Sequence, residues 1–447
     1  MRIQGERNCR PAGAWLSPRD GRARLITSGW LSVLLAVHTF GQTTPSQLTL
    51  EDCVRLAQSA PSAVKMARQQ TEIARYGMTQ ARANFLPQFS IGNSYTYNSP
   101  LLYDRNSISF LALNGFREYS SLATSAVELD TSGRLRATLD RTRADRDAAN
   151  ANLGLSERDL KHAVAASYYR VLLARKLVEA ARSNVTEARA FEDRVRRLTE
   201  SGEASQADLV KASSQVAILD QTQQALELEA RLANHDLASF WTADVDASLV
   251  LADVMERPLP MPETPVASAS PFLRRLEFSL FDAQQRGLLA DARRARAELL
   301  PQASLVFQYG IDATRVNIND RGYAGFIRLN IPVFDWFRAR SASRQFQIQA
   351  QQVETTRQIA QRAFSKEYQD AIARVQLIYA QIPTIDAQVK FAEDNLRLSR
   401  VRYEGGEGPA LDVVVAQAQL VQARTNYYAV RAGYLTARAD LEVARGQ

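Results

Sequence analysis

Four segments of the chain alternate between apolar and polar residues, which is the pattern of a β-strand with one dry and one wet face. In the first segment Phe89, Ile91, Tyr95 and Tyr97 alternate with polar or small residues. The other three segments show the same alternation, least regularly in the second. The predicted strands cover about 88–97, 119–130, 302–312 and 323–333.

These strands form two hairpins, and each strand has about the ten residues that a tilted transmembrane β-strand needs. A soluble four-stranded sheet packed on helices would show the same pattern. In a membrane, however, four strands cannot close, because open edges would leave backbone groups without partners in lipid. Hairpins that span a membrane would therefore require several copies of the chain.

Two long segments carry apolar residues at alternating steps of four and three, which predicts helices with a coiled-coil seam. The first, of about 68 residues, would be roughly 100 Å long, too long for a compact domain. Pro383 is expected to kink the second, either as a hinge or as a tolerated distortion. Together with the helices that return alongside them, the predicted long helices cover about 132–199, 206–240, 335–403 and 410–445.

The chain also contains an internal duplication. Residues Ala81–Gln88 return 214 positions later as Ala295–Gln302, with six of eight residues identical. In both copies a helical run stops at a proline, Pro87 or Pro301, because proline cannot continue a helix and favours extended geometry before it. The duplication predicts two repeats and a proline-rich linker, at 42–240, 272–447 and 241–271 respectively.

Glycine-rich turns separate the long helices from the returning ones, since glycine lets the chain reverse. From Leu129 to the first turn is 73 residues, whereas from Leu329 to the second turn is 77. Four extra residues predict a stutter in the second helix pair, and the same alignment makes the first hairpin loop, at 98–118, about 14 residues longer. The turn glycines are Gly202, Gly405, Gly406 and Gly408.

Residues 1–41 are predicted to be a secretory signal, because arginines precede the apolar run Leu31–Val37. That run falls short of the roughly 20 residues that a membrane-spanning helix needs. Net charge is +7, of which residues 1–24 supply +4. The basic character therefore belongs largely to the leader and does not indicate a nucleic-acid-binding surface.

Candidate chemistry is sparse in the rest of the chain. Removal of the leader would leave one cysteine, Cys53, and two histidines, His162 and His235. No phosphate-binding loop, dinucleotide turn or Cys/His cluster occurs. We therefore expect no disulfide, cofactor, metal site or enzymatic activity. A structural coiled-coil protein of the cell envelope remains an alternative, although it does not explain strands placed at helix ends.

Several landmarks of the chain resemble the TolC-like outer-membrane efflux proteins. They are the opening Leu48–Ala57, the two Leu-Pro-Gln junctions, Val333–Trp336 after the last strand, and the turn before Asp412–Val414. The resemblance implies an α+β membrane protein and a homotrimer. Three copies would build a twelve-stranded transmembrane β-barrel, and their coiled-coil helices would form a periplasmic α-barrel tunnel.

The resemblance also implies an exit duct in the outer membrane of a Gram-negative-type bacterium, extending into the periplasm. Its partners would be outer-membrane lipid, a periplasmic adaptor (membrane-fusion) protein, and an inner-membrane efflux pump or ABC transporter. The cargo stays open among drugs, metal ions, polypeptides and siderophores, because selection lies mainly in the pump.

Three residues match family positions that close the periplasmic tip. Tyr403 matches a latch tyrosine, Asp208 matches its acidic partner, and Asp412 matches an acidic ring at the narrowest point. Val415 replaces a second acidic residue and Gly408 replaces the latch arginine, so one acidic ring and a weaker latch are expected. Seam packing would also explain Tyr403, and stabilisation of helix N-termini would explain both aspartates.

Overall fold

The computed structural model describes residues 47–100, 116–262 and 270–446. The predicted signal at 1–41 lies outside this part of the chain. So do residues 101–115 of the first outer loop and 263–269 of the predicted linker.

Helices and hairpins alternate in the same order in both copies. The first copy comprises α1 (Leu50–Ser59), α2 (Ala63–Ala83), β1 (Gln88–Tyr97), β2 (Arg117–Leu129), α3 (Arg134–Glu200) and α4 (Gln206–Ala238). The second comprises α5 (Leu276–Ala297), β3 (Gln302–Ala313), β4 (Arg321–Asn330), α6 (Arg338–Glu404) and α7 (Ala410–Arg445).

Local sequence explains where several of these elements begin and end. α1 starts at a capping box in which Thr49 and Asp52 each accept the other's backbone N–H. β1 and β3 begin directly after Pro87 and Pro301. β4 ends at Asn330, three residues before the predicted position, and Pro332 soon after it has no N–H with which to continue pairing.

The long helices form a layer of four columns. In the half nearer the sheet, α3 packs between α2 and α5; in the other half it packs between α4 and α7. α6 packs first against α5 and then against α7. Two continuous columns, α3 and α6, therefore alternate with two broken ones, α2/α4 and α5/α7.

The breaks in the columns are covered by the start of the chain and by the linker. Leu48 pairs with the linker, its N–H donating to the carbonyl oxygen of Val250 at 2.7 Å. Tyr168 of α3 is buried there and its hydroxyl donates to the carbonyl oxygen of Ala252 at 2.7 Å. Arg431 of α7 donates from Nε to the carbonyl oxygen of Met255 at 2.6 Å. The linker therefore ties the two copies together at mid-height.

The four strands form one antiparallel sheet in the order β1-β2-β3-β4. The inner strands β2 and β3 join the two hairpins, with Ser125 opposite Phe307. Because side chains alternate along each strand, this register places all odd-numbered residues on one face. That face carries most of the large apolar and aromatic residues, and the other face carries most of the polar ones.

The hairpin registers show how the two copies correspond. Gln88 pairs with Ala126, and its repeat equivalent Gln302 pairs with Asn330. Ala126 and Asn330 are 204 positions apart, whereas Gln88 and Gln302 are 214 apart, so the first hairpin is ten residues longer rather than about 14. The counterpart of Leu129 is therefore Val333, not Leu329.

The predicted stutter is wrong for the same reason. α3 and α6 each contain 67 residues. Their first residues are 204 positions apart, and so are their last residues. The four extra residues arose from aligning Leu129 with Leu329, which only the pairing of the strands could correct.

Candidate functional site

The helical tip, at the end of the columns away from the sheet, is built from two glycine-containing turns. Gly202 follows α3 with φ 80° and Gly406 follows α6 with φ 74°, a left-handed conformation that costs glycine no steric strain. Gly405 has φ −81° and Gly408 is not among the positive-φ residues. Of the four predicted turn glycines, two therefore need to be glycine for their backbone conformation.

Asp208 lies in the first turn of α4. Ser205 caps this helix by accepting the backbone N–H of Asp208 at 3.1 Å, and its hydroxyl donates to Asp208 Oδ2 at 2.9 Å. Lys211 lies 3.6 Å from the same carboxylate. Asp208 therefore lies where a carboxylate stabilises a helix, at the positive end of the helix dipole.

Tyr403 lies on the last turn of α6 and faces the first copy. Its ring packs edge-on against Phe191 of α3, with centroids 5.3 Å apart. Burial, followed by the negative charge of Asp208, raises the pKa of the Tyr403 hydroxyl. The charge of Asp208 is therefore felt at Tyr403, but the buried hydroxyl has no hydrogen-bond partner among the described residues.

Asp412 interacts within its own turn. Its Oδ2 lies 4.0 Å from Arg402 Nη1, and a Cβ added at Gly408 would lie 3.7 Å from that oxygen. Both Asp412 and Arg402 are substantially exposed, so the pairing leaves the carboxylate open to solvent.

A buried seam and a set of ion pairs connect the two copies near the tip, and sequence reasoning did not single them out. Phe191 is buried in this seam but lies three residues after Ala188, where the 4-3 alternation calls for a step of four, so the pattern did not mark it. Glu187 of α3 lies 3.3 Å from Arg400 of α6 and 3.6 Å from Arg424 of α7. No sequence signal marks such pairs, because they join residues more than 200 positions apart.

The turn from β2 to α3 and the junction from α5 to β3 lie side by side in the middle of the sheet. The Thr131 hydroxyl, in the turn from β2 to α3, donates to the carbonyl oxygen of Pro301 at 2.7 Å. Pro87 lies at the free edge formed by β1. The two junctions are therefore equivalent in sequence but differ in what surrounds them.

The odd-numbered face of the sheet is exposed as well as apolar. Phe89 is 81% exposed and Ile327 is 71% exposed, which is unusual for large apolar side chains in contact with water. Among the described residues, β1 and β4 each have one edge that pairs with no other strand. Other exposed members of the face are Ile91, Tyr95, Tyr97, Leu129, Leu305, Phe307, Tyr309, Tyr323 and Leu329.

Residues 47–100, 116–262 and 270–446 lack two features. No helix there is both long enough and apolar enough to cross a membrane. No group of three or more His, Cys, Asp and Glu side chains there is arranged to hold a metal ion.

Comparison with solved structures identifies similar folds. CmeC, an outer-membrane channel of Campylobacter jejuni, has a TM-score of 0.79 at 16% identity, over 89% of this chain and 85% of that chain. MtrE, an outer-membrane channel of Neisseria gonorrhoeae, has 0.77 at 18%, over 89% and 88%. VceC, an outer-membrane protein of Vibrio cholerae, has 0.76 at 17%, over 89% and 96%.

Sequence comparison adds the family. No curated protein sequence matches the chain. The family model for outer membrane efflux proteins, however, matches residues 54–241 and 273–447, which cover most of each predicted repeat. The predicted fold class and the resemblance are confirmed, and the chain belongs to the outer membrane efflux protein family.

Proposed function

We propose that three copies of this chain form an exit duct from the periplasm through the outer membrane. The observation that carries this proposal is the sheet, whose apolar face is exposed and whose two edges are unpaired. Lipid would cover the face, and neighbouring copies would pair with the edges. Since β1 and β4 run in opposite directions, they can pair between copies as antiparallel strands, giving twelve strands in three copies.

The helical layer supports the same assembly. Its outer columns, α2/α4 and α6, expose large apolar residues along their length, among them Ile73 and Tyr76 of α2 and Leu377 and Phe391 of α6. Packing α6 of one copy against α2/α4 of the next would bury these residues. The layer would then close into a tunnel continuous with the barrel.

At the tip we propose that Asp412 contributes to an acidic ring and that Tyr403 and Asp208 help to hold the tip shut. The solvent-exposed carboxylate of Asp412 and its place beside the second turn support the ring. The packing of Tyr403 on Phe191 and the influence of the Asp208 charge on the Tyr403 pKa support the latch. An adaptor protein would dock at this tip and connect the duct to an inner-membrane pump, whose cargo remains open.

Conductance in planar lipid bilayers tests the duct and the acidic ring together. We expect purified protein to form discrete channels that prefer cations, because three carboxylates around an axis attract cations and repel anions. Asp412→Ala should lower the cation preference at least about twofold at low salt. Asp394→Ala, which removes an exposed carboxylate of α6 away from the turn, is the matched control.

Failure to form channels would contradict the duct. Channels whose cation preference is the same with Asp412 and with alanine would contradict the ring assignment alone.

A further inference from the structure

The turn from β4 to α6 holds a cluster of exposed aromatic residues. Phe334 packs edge-on against Trp336 at 4.8 Å and against Phe337 at 6.0 Å between ring centroids. Even so, Trp336 is 84% exposed and Phe337 is 62% exposed. The rings thus shield one another only slightly, and most of their apolar surface has no partner within the copy.

Backbone conformation makes this cluster costly. Trp336 has φ 56° and Phe337 has φ 63°, and they are the two non-glycine residues with positive φ in the described part of the chain. Bulky residues rarely adopt this conformation, because it brings the Cβ atom too close to the following carbonyl oxygen. Asp335 helps to hold it by accepting the backbone N–H of Ala339 at 2.8 Å.

The duplication supplies a direct comparison. The repeat equivalent of Phe337 is Gly133, which has φ 76° and likewise precedes the first residue of a long helix. Glycine thus satisfies this backbone position in the first copy without strain. The second repeat has an aromatic ring at this position instead, although glycine would avoid the backbone strain.

Pairing with a second copy of the chain would leave open space at this backbone position. If copies pair edge to edge as β2 and β3 pair within one copy, Phe337 would have the surroundings of Gly133. A Cβ built on Gly133 meets no atom within 4 Å, although β3 and α5 lie alongside. The Cβ at position 337 would therefore face open space after three copies of the chain assemble.

Charge near the cluster points to an anionic partner. Arg340 is exposed and, among the described residues, forms no ion pair. Its repeat equivalent Arg136 lies 3.3 Å from Asp130 and is still 78% exposed beside the neighbouring strand and helix. The counterpart of Asp130 is Phe334, so the second repeat has an aromatic ring where the first repeat has the partner carboxylate.

We propose that Trp336, Phe337 and Arg340 anchor each copy to the phosphate-bearing interface of the membrane's periplasmic leaflet. Aromatic rings favour the boundary between headgroups and acyl chains, and an unpaired guanidinium binds lipid phosphate. The cluster directly follows Ile331 and Val333, which extend the alternation of the apolar sheet face. The proposal rests on the proposed membrane-spanning function.

Tryptophan fluorescence tests the depth of the cluster. Trp15 and Trp30 precede residue 42, so a chain without its leader has only Trp241 and Trp336. In Trp241→Phe protein reconstituted into phosphatidylethanolamine and phosphatidylglycerol vesicles, Trp336 should be quenched by lipids brominated along the acyl chain. Bromines near the headgroup should quench at least about twice as strongly as those near the bilayer centre. The control, Trp336→Phe, retains Trp241 at mid-height and should not be quenched.

The outcomes separate this proposal from the one on which it rests. Conducting channels in which no brominated lipid quenches Trp336 would overturn the anchor and leave the duct intact, since the cluster would then face protein or the tunnel. Protein that neither conducts nor floats with the vesicles would overturn both.

Lipid retention tests the charged part separately. Native mass spectrometry of detergent-purified protein should show about fivefold weaker retention of phosphatidylglycerol in Arg340→Gln, as expected for one arginine at an anionic surface. Arg136→Gln, which removes the ion-paired equivalent, should retain the lipid as well as the parent. Equal retention by both variants would contradict a phosphate contact at Arg340.

Discussion

At the scale of single residues, the same backbone position is glycine in one copy and phenylalanine in the other. Gly133 and Phe337 both have left-handed φ, so alanine should be unfavourable at either position. We expect Phe337→Gly to be more stable than Phe337→Ala by about 1 kcal/mol, the left-handed cost less the extra entropy that glycine loses on folding.

Gly133→Ala should lose a similar amount relative to the parent, although its new Cβ would touch nothing. Guanidinium denaturation followed by helical circular dichroism in detergent measures both differences. A Phe337→Ala variant as stable as Phe337→Gly would mean that the turn relaxes to another conformation.

The backbone conformation of the turn from β4 to α6 could not be predicted from the sequence. Val333–Trp336 is recognisable from the resemblance, but nothing in an aromatic run predicts two consecutive left-handed residues. Aromatic residues intrinsically favour strand conformations. In this turn Asp335, just before α6, helps to hold the left-handed conformation instead.

At the scale of elements, a contact between α3 and α6 joins the first repeat to the second near the helical tip. Tyr403 packs its ring on Phe191, while its hydroxyl lacks a hydrogen-bond partner in the described part of the chain. We therefore expect Tyr403→Phe to leave the closed tip unchanged. Tyr403→Ala removes the ring and should increase the open-channel conductance or the open probability. Loss of a fully buried aromatic ring costs about 3–5 kcal/mol. The cost should be smaller for Tyr403, which is only partly buried.

Single-channel recording of the two variants separates these alternatives. A conductance that rises equally in Tyr403→Phe would show that the hydroxyl, and not the ring, holds the tip.

Periodicity predicted the long helices and strands because each pattern is local and strongly repeated. It could not predict the correspondence between copies, since Leu129 and Leu329 look equivalent until the pairing of Gln302 with Asn330 is known. Only the family resemblance suggested that Tyr403 and Asp208 act together. The Glu187 ion pairs were not expected, because nothing local distinguishes their charges from solvated ones.

At the scale of the whole molecule, the duplication predicts how copies should pair. Thr124 lies opposite Gln308 within one copy, and their repeat equivalents are Arg328 of β4 and Ser94 of β1. If the pairing is inherited, Arg328 of one copy lies opposite Ser94 of the next. The same register brings Ile331 opposite Ile91 and Val333 opposite Phe89, so apolar residues meet on one face.

Disulfide trapping tests this register. In a Cys53→Ala background, Arg328→Cys combined with Ser94→Cys should cross-link copies into trimers on a non-reducing gel. Arg328→Cys combined with Thr96→Cys is the matched control, because two residues along a strand add about 6–7 Å, beyond disulfide reach. Cross-linking by the control instead would show that the copies pair in another register.

The open edges of the sheet have a consequence for the life of a newly made chain. A single folded copy presents unpaired backbone groups beside exposed aromatic side chains, so it is suited neither to water nor to lipid. If the chain assembles as proposed, meeting its partners and entering the membrane should therefore be coupled events. The yield of functional protein should depend steeply on how many copies are present together, with solitary copies left to chaperones or proteases.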